Sequence, residues 1–158
     1  MAVDHEAPYA ALESRLQLYV KDYLAIPVSR KLKSFDQLGQ GEHPALFVVA
    51  TTQTPVVSGP AKAYWNFKAL VFVYARGDTD PGASAESALN LIVSKVEAAL
   101  ERQTTEAGLF YPGQQLQHYT TLGGVVQQAI PGNVLIETGA QGNEGIAVME
   151  IDMMVPPA

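Results

Sequence analysis

The sequence predicts an α+β domain, an antiparallel or mixed β-sheet with two main helices packed on one face. Three observations carry that expectation. Apolar residues recur at helical spacing over residues 8–26 and 81–101. Residues 65–74 and 146–155 follow the two-residue period of strands instead. The intervening tracts are rich in Gly and Pro and continue neither period. The 158 residues match the usual size of one domain, with residues 1–7 and 156–158 expected as flexible or extended tails.

In the first helix Pro8 suits an opening turn and Pro27 cannot continue it. Leu12, Leu16, Tyr19 and Tyr23 form one stripe, with Arg15, Lys21 and Asp22 off it. Residues 28–43 are mixed, contain Gly39 and Gly41, and are expected to hold a short strand near residues 31–35. Residues 44–50 (PALFVVA) read as a buried strand. Residues 51–61 contain Pro55, Gly59 and Pro60 and read as a long loop or an extended hairpin arm.

The next strand has a wholly apolar face, Trp65, Phe67, Ala69, Val71 and Val73. Its other face starts polar and becomes apolar toward Phe72, as expected of a central strand whose second face is partly covered by a helix or a neighbouring subunit. Trp65 sits within the apolar alternation, which favours a core place over an interface anchor. After a turn at residues 76–82, Asp80 followed by Pro81, or alternatively Ser84, caps the second helix. Its stripe is Leu89, Ile92, Val93, Val96 and Leu100. Residues 103–124 are less regular; short strands are expected at 114–119 and at 122–130, the latter ended by Pro131 and Gly132. Residues 133–138 and 146–155 form a hairpin across a Gly-rich turn at 139–145. Ala147, Met149, Ile151, Met153 and Val155 make its apolar face, Glu150 and Asp152 lie opposite, and Pro156 and Pro157 end it.

Charged residues are only 16% of the chain, against about 25% in an average soluble protein. A surface poor in charge is one that a subunit of a larger assembly tolerates. The net charge is −6, and the Lys and Arg residues are scattered, so no basic face exists to displace counterions from nucleic acid. The one local cluster, Arg30, Lys31 and Lys33, reads as the solvated edge of a loop or strand, or as a contact for an acidic partner. The absence of cysteine excludes disulfides, thiolate metal sites and Cys nucleophiles. No apolar run approaches the roughly 20 residues of a membrane span, and the acidic, polar N-terminus does not read as a signal peptide. A soluble protein made in the cytoplasm is expected.

The chemistry-bearing residues form no recognised catalytic pattern. His5, His43 and His118 lack metal-ligand spacing, and no GxSxG elbow occurs. Gly39-Gln40-Gly41 lacks the third glycine of a dinucleotide loop. Gly139, Gly142 and Gly145 precede a strand rather than a helix start, where phosphate would bind. No catalytic residue, cofactor or metal is expected. Hydrophobic faces and polar loops remain, the make-up of a protein whose product is a surface.

The order of elements resembles the tail terminator (tail completion) proteins of long-tailed bacteriophages. The resemblance is carried by the helix phrase Tyr9-Ala10-Ala11-Leu12-Glu13-Ser14-Arg15-Leu16, the strands at 44–50 and 64–74, the helix at 85–100 with its Asn90-Leu91-Ile92 run, and the closing strands at 133–138 and 146–154. No family phrase matches residues 103–124. The resemblance implies a non-enzymatic virion protein that forms a ring, typically a hexamer, on the head-proximal end of the tail tube. Such a ring stops tube polymerisation and presents a surface to the head-side connector or neck protein; DNA passes through the lumen without sequence-specific binding, and no membrane is involved. The candidate interface residues are Thr51, Gln53, Pro55, Ser58, Lys62 and Trp65 around the long loop, and Gly139, Gln141 and Asn143 in the Gly-rich turn. Two rival expectations are another neck or head-tail joining protein, and a small cytoplasmic ligand-binding or enzymatic domain, which would need a deep pocket with convergent polar groups.

Overall fold

The two alternating segments become the paired centre of a sheet. The computed structural model describes residues 2–57, 64–77, 84–103, 118–139 and 143–157. Its main elements are α1 (Ala7–Val20), β1 (Ala45–Val56), β2 (Tyr64–Arg76), α2 (Ala85–Leu100), β3 (Gln128–Thr138) and β4 (Glu144–Val155). The strands form one sheet in the order β1-β2-β4-β3, antiparallel throughout. The fold is α+β, with both helices on one face.

Side chains alternate across a strand, so the pairing register decides which face is buried. β2 meets β4 from Trp65 opposite Val155 to Arg76 opposite Glu144 without a shift. That register puts Phe67, Ala69, Val71 and Val73 beside Ala147, Met149, Ile151 and Met153, all buried. Tyr9, Leu12, Leu16 and Val20 of α1 and Leu89, Ile92, Val96 and Leu100 of α2 close over them. Burying one such large apolar side chain contributes about 1.5–3 kcal/mol.

The α1 stripe differs from expectation. Tyr9 and Val20 complete it, and Tyr23 is partly exposed, because the helix ends at Val20 and tightens into a 3-10 turn at Lys21–Tyr23 that rotates Tyr23 outward. Pro8 does sit in the first turn, and Asp4 Oδ1 accepts the Glu6 and Ala7 N–H groups at 2.9 and 3.1 Å. In α2 Ser84 is the cap, accepting the Ser87 N–H at 3.1 Å; Asp80 and Pro81 lie outside the described residues. The Arg15 Nε donates to the Ala99 carbonyl at 2.7 Å and its Nη2 to the Glu101 carbonyl at 3.0 Å. One α1 side chain thus caps the end of α2, where carbonyls lack helical partners.

Two strand expectations are corrected, and a third falls mostly outside the described residues. Residues 31–35 form no strand: Ser29 alone bridges Phe47, and Phe35–Gln37 is a 3-10 turn closed by the Ser34 N–H on Gln37 Oε1 at 2.9 Å. Of residues 114–119, 114–117 lie outside the described residues, and Tyr119 makes only an isolated bridge to Glu101. The tract 122–130 opens as a turn with positive φ at Leu122, Gly123 and Gly124, a region glycine enters freely. β3 then starts at Gln128 and runs through Pro131 and Gly132, taking a register shift before Val134. A proline is tolerated there because β3 is an edge strand. The tract 51–61 is the arm rather than the loop as far as β1 extends, to Val56, with a register shift between Ala50 and Gln53.

One end of the second sheet face is covered by the segment after α1. Ile26, Phe35 and Leu38 pack on Ala45, Phe47, Phe72, Tyr74 and Ile146. Gly145 lies in β4 rather than in the turn, buried where α2 crosses. A Cβ there would stand 2.7 Å from Leu89 Cδ1 and 3.3 Å from Ala85 Cβ. Replacing Gly145 by Val should therefore lower unfolding free energy by about 1–3 kcal/mol, measured by urea denaturation; an unchanged midpoint would show that α2 does not rest on this position.

Candidate interaction surface

Antiparallel pairing sends the two loop regions singled out by sequence to opposite ends of one sheet. β1 and β2 meet at the arm end, where Pro55 faces Trp65 and Trp65 faces Val155. β3 and β4 meet at the turn end, where Thr138 faces Gly145 beside Ala75. β2 spans 13 residues, so the two ends are about 40 Å apart at about 3.3 Å per residue.

At the arm end Thr51, Gln53 and Pro55 are exposed and Trp65 is half-buried. Ser58 and Lys62 lie outside the described residues. Thr51 Oγ1 donates to the Lys68 carbonyl at 3.1 Å. Gln53 reaches His5 Nδ1 at 2.5 Å and donates from Nε2 to the Tyr9 hydroxyl at 3.4 Å. The His5 ring stacks on Phe67 and meets Trp65 edge-on, centroids 5.4 and 5.0 Å away. The segment before α1 is therefore extended along the sheet and buttresses the arm. Tyr9 itself donates to the Lys68 carbonyl at 3.2 Å, and burial raises its phenol pKa above the ordinary value. Trp65 is partly buried and packs against the core, between the two places weighed for it.

At the turn end Gly139 and Asn143 are exposed, and Gln141 lies outside the described residues. The Gly77 N–H donates to the Asn143 carbonyl at 2.7 Å and the Gly139 N–H to the Glu144 carbonyl at 2.8 Å. Behind them Arg76 pairs with Glu144 at 3.7 Å and lies 5.4 Å from the Phe35 ring centroid. The Phe35 ring in turn stands 4.7 Å from the His43 ring. A shallow hollow of about 270 Å³ opens between Phe35, Asp36, Glu137 and Glu144.

Sequence reasoning found the exposed positions and missed what braces them. His5 and His43 carried no signal, since a histidine two residues before a helix or ahead of a proline has no distinctive spacing. The three histidines stand apart, each against a different aromatic partner. Among the described residues no group of three His, Asp or Glu side chains could hold a metal ion. Glu150 is exposed, and Asp152 pairs with Lys68 at 3.8 Å on the open sheet face. No protein-family model matches the chain, and no curated protein does.

Both ring nitrogens of His43 are buried with no hydrogen-bond partner among the described residues. Burial, followed by the Arg76 charge, lowers its pKa from 6.5, against opposing contributions from Glu144 and Glu42. Below its ordinary pKa the unfolded chain therefore binds a proton that the folded chain resists. Stability from this residue is present at neutral pH and is lost as pH falls through about 6.5 toward the folded value. His43→Phe, which keeps an aromatic ring against Phe35, should lose less stability than the parent between about pH 8 and about pH 5, read by urea midpoints. Parallel pH profiles would show that His43 is not the group responsible.

Proposed function

We propose that this chain is a tube-capping subunit of the tail terminator kind: a non-enzymatic virion protein, made in the host cytoplasm, that assembles as a ring at the head-proximal end of a tail tube. There it stops addition of tube subunits and offers its far side to the head-side connector. The observation that carries the reading is the placement of the arm and the turn at opposite ends of the same strands. A subunit lying between two layers needs one contact surface toward each. Supporting it are the resemblance in element order and the low charge content.

Capping in this account is shape complementarity, with no bond made or broken. The test is electron microscopy of tube subunits from the same virus, polymerised with and without this protein. Shorter tubes bearing a ring at one end are expected; unchanged lengths and bare ends would contradict the reading. Pro55→Glu at the arm and Asn143→Arg at the turn divide the two contacts. One variant should lose capping while the other still caps but fails to join connectors. Capping and joining by both variants would contradict the two-ended arrangement.

A further inference from the structure

The sheet has two edges, and each is covered by the described residues only in part. On the β1 side the chain covers the start of the strand: the Ala25 and Ser29 N–H groups donate to the Pro44 and Leu46 carbonyls, and the Val48 N–H donates to the Ser29 carbonyl. On the β3 side the described residues cover only the start. Ala129, opposite Met153, turns its N–H outward to the Thr120 carbonyl at 3.0 Å. Val134, Ile136 and Thr138, opposite Met149, Ala147 and Gly145, share that phase, so their backbone groups also point away from β4. Among the described residues no backbone group pairs with them. Leu135 and Ile136, which flank this ladder, are 62% and 37% exposed. An open apolar edge of this kind is a template for another chain.

The charge around the two edges is opposite in sign. The β3 edge carries Glu137, exposed, with Asp36 across the neighbouring hollow. The covering segment on the β1 side continues into Arg30, Lys31, Leu32 and Lys33. Arg30 pairs with Glu6 at 2.5 Å and Lys33 with Glu42 at 4.0 Å, while Lys31 has no ion pair among the described residues. Leu32 is 43% exposed. Each edge thus offers an exposed leucine beside a charge, with the signs complementary.

We propose that the outer edge of β3 in one copy docks on the Arg30-Lys31-Leu32-Lys33 segment of a second copy, head to tail, with Leu135 against Leu32 and Glu137 against Lys31. The choice of a second copy as occupant rests on the ring-subunit reading. Because the two patches lie on opposite edges of one sheet, the contact is heterologous; it propagates from copy to copy and closes where the rotation permits. The strands alternate in direction, so in copies of like orientation β3 of one runs antiparallel to β1 of the next and to the covering segment, which bridges β1 in parallel at Ser29.

The absence of native cysteine allows a direct test. Leu32→Cys and Leu135→Cys copies are prepared separately and treated with a short bismaleimide, alone and mixed, free and on capped tubes. The mixture should give dimers holding one copy of each kind, and the double variant should give a ladder, while each single variant alone stays uncrosslinked. Glu137→Lys in the Leu135→Cys copy should cut the yield about tenfold, and Lys31→Glu in the other copy should restore it, as charge pairing across an interface requires. Crosslinking of Leu135→Cys copies with one another would overturn the head-to-tail arrangement, as would a mixture that gives no product. Capped tubes without Leu32–Leu135 crosslinks would sink this edge pairing alone; crosslinked ladders beside uncapped tubes would sink the capping reading alone.

Discussion

The unbroken antiparallel register between β2 and β4 is the constraint on which the other features rest. A slip of β2 by one residue would turn Phe67 and Val71 out of the core and carry Lys68 into it, and the same slip of β4 would turn out Met149 and Ile151 and carry in Asp152. That register also places Gly145 under α2, where the missing side chain admits Leu89, and sets Arg76 beside Glu144. The two outer strands then have only one way to add, which leaves β1 and β3 as edges and sends the arm and the turn to opposite ends.

Polar contacts within the helix layer and between it and the sheet fall where backbone groups would otherwise be unpaired. Arg15 holds the last carbonyls of α2 from across the layer. Thr120, buried, donates its N–H to the Leu100 carbonyl at 2.7 Å and accepts the Ala129 N–H, joining the end of α2 to the start of β3. A buried backbone group without a partner is costly, so these links are conditions of the packing.

Much of this was legible in the sequence. The apolar faces of β2, α2 and β4 repeat at clear periods, and every residue assigned to the α2 stripe and to the β4 face is buried. Periodicity failed where a special backbone intervened. Tyr23 continues the α1 spacing on paper, but the helix has already tightened into a 3-10 turn. Pro131 and Gly132 look like the end of a strand, yet an edge strand absorbs them with a shift of register. The exposed positions of the interaction surface could be read from loop composition. Their supports could not, because His5, Tyr9 and Gln53 are far apart in the chain and meet only once the arm folds along the sheet.

The ends of the sheet face outward along the strands and its sides across them, so in the proposed assembly contacts between layers and contacts within a layer would use different residues. If the protein sits between a tube and a connector, the strands must run along the tube axis. A three-dimensional reconstruction of the capped tube end, resolved well enough to trace strands, tests this most directly. The account predicts strands parallel to the axis, with the arm residues Gln53 and Pro55 meeting one layer and Gly139 and Asn143 the other. Strands lying across the axis, or arm and turn facing the same layer, would contradict it.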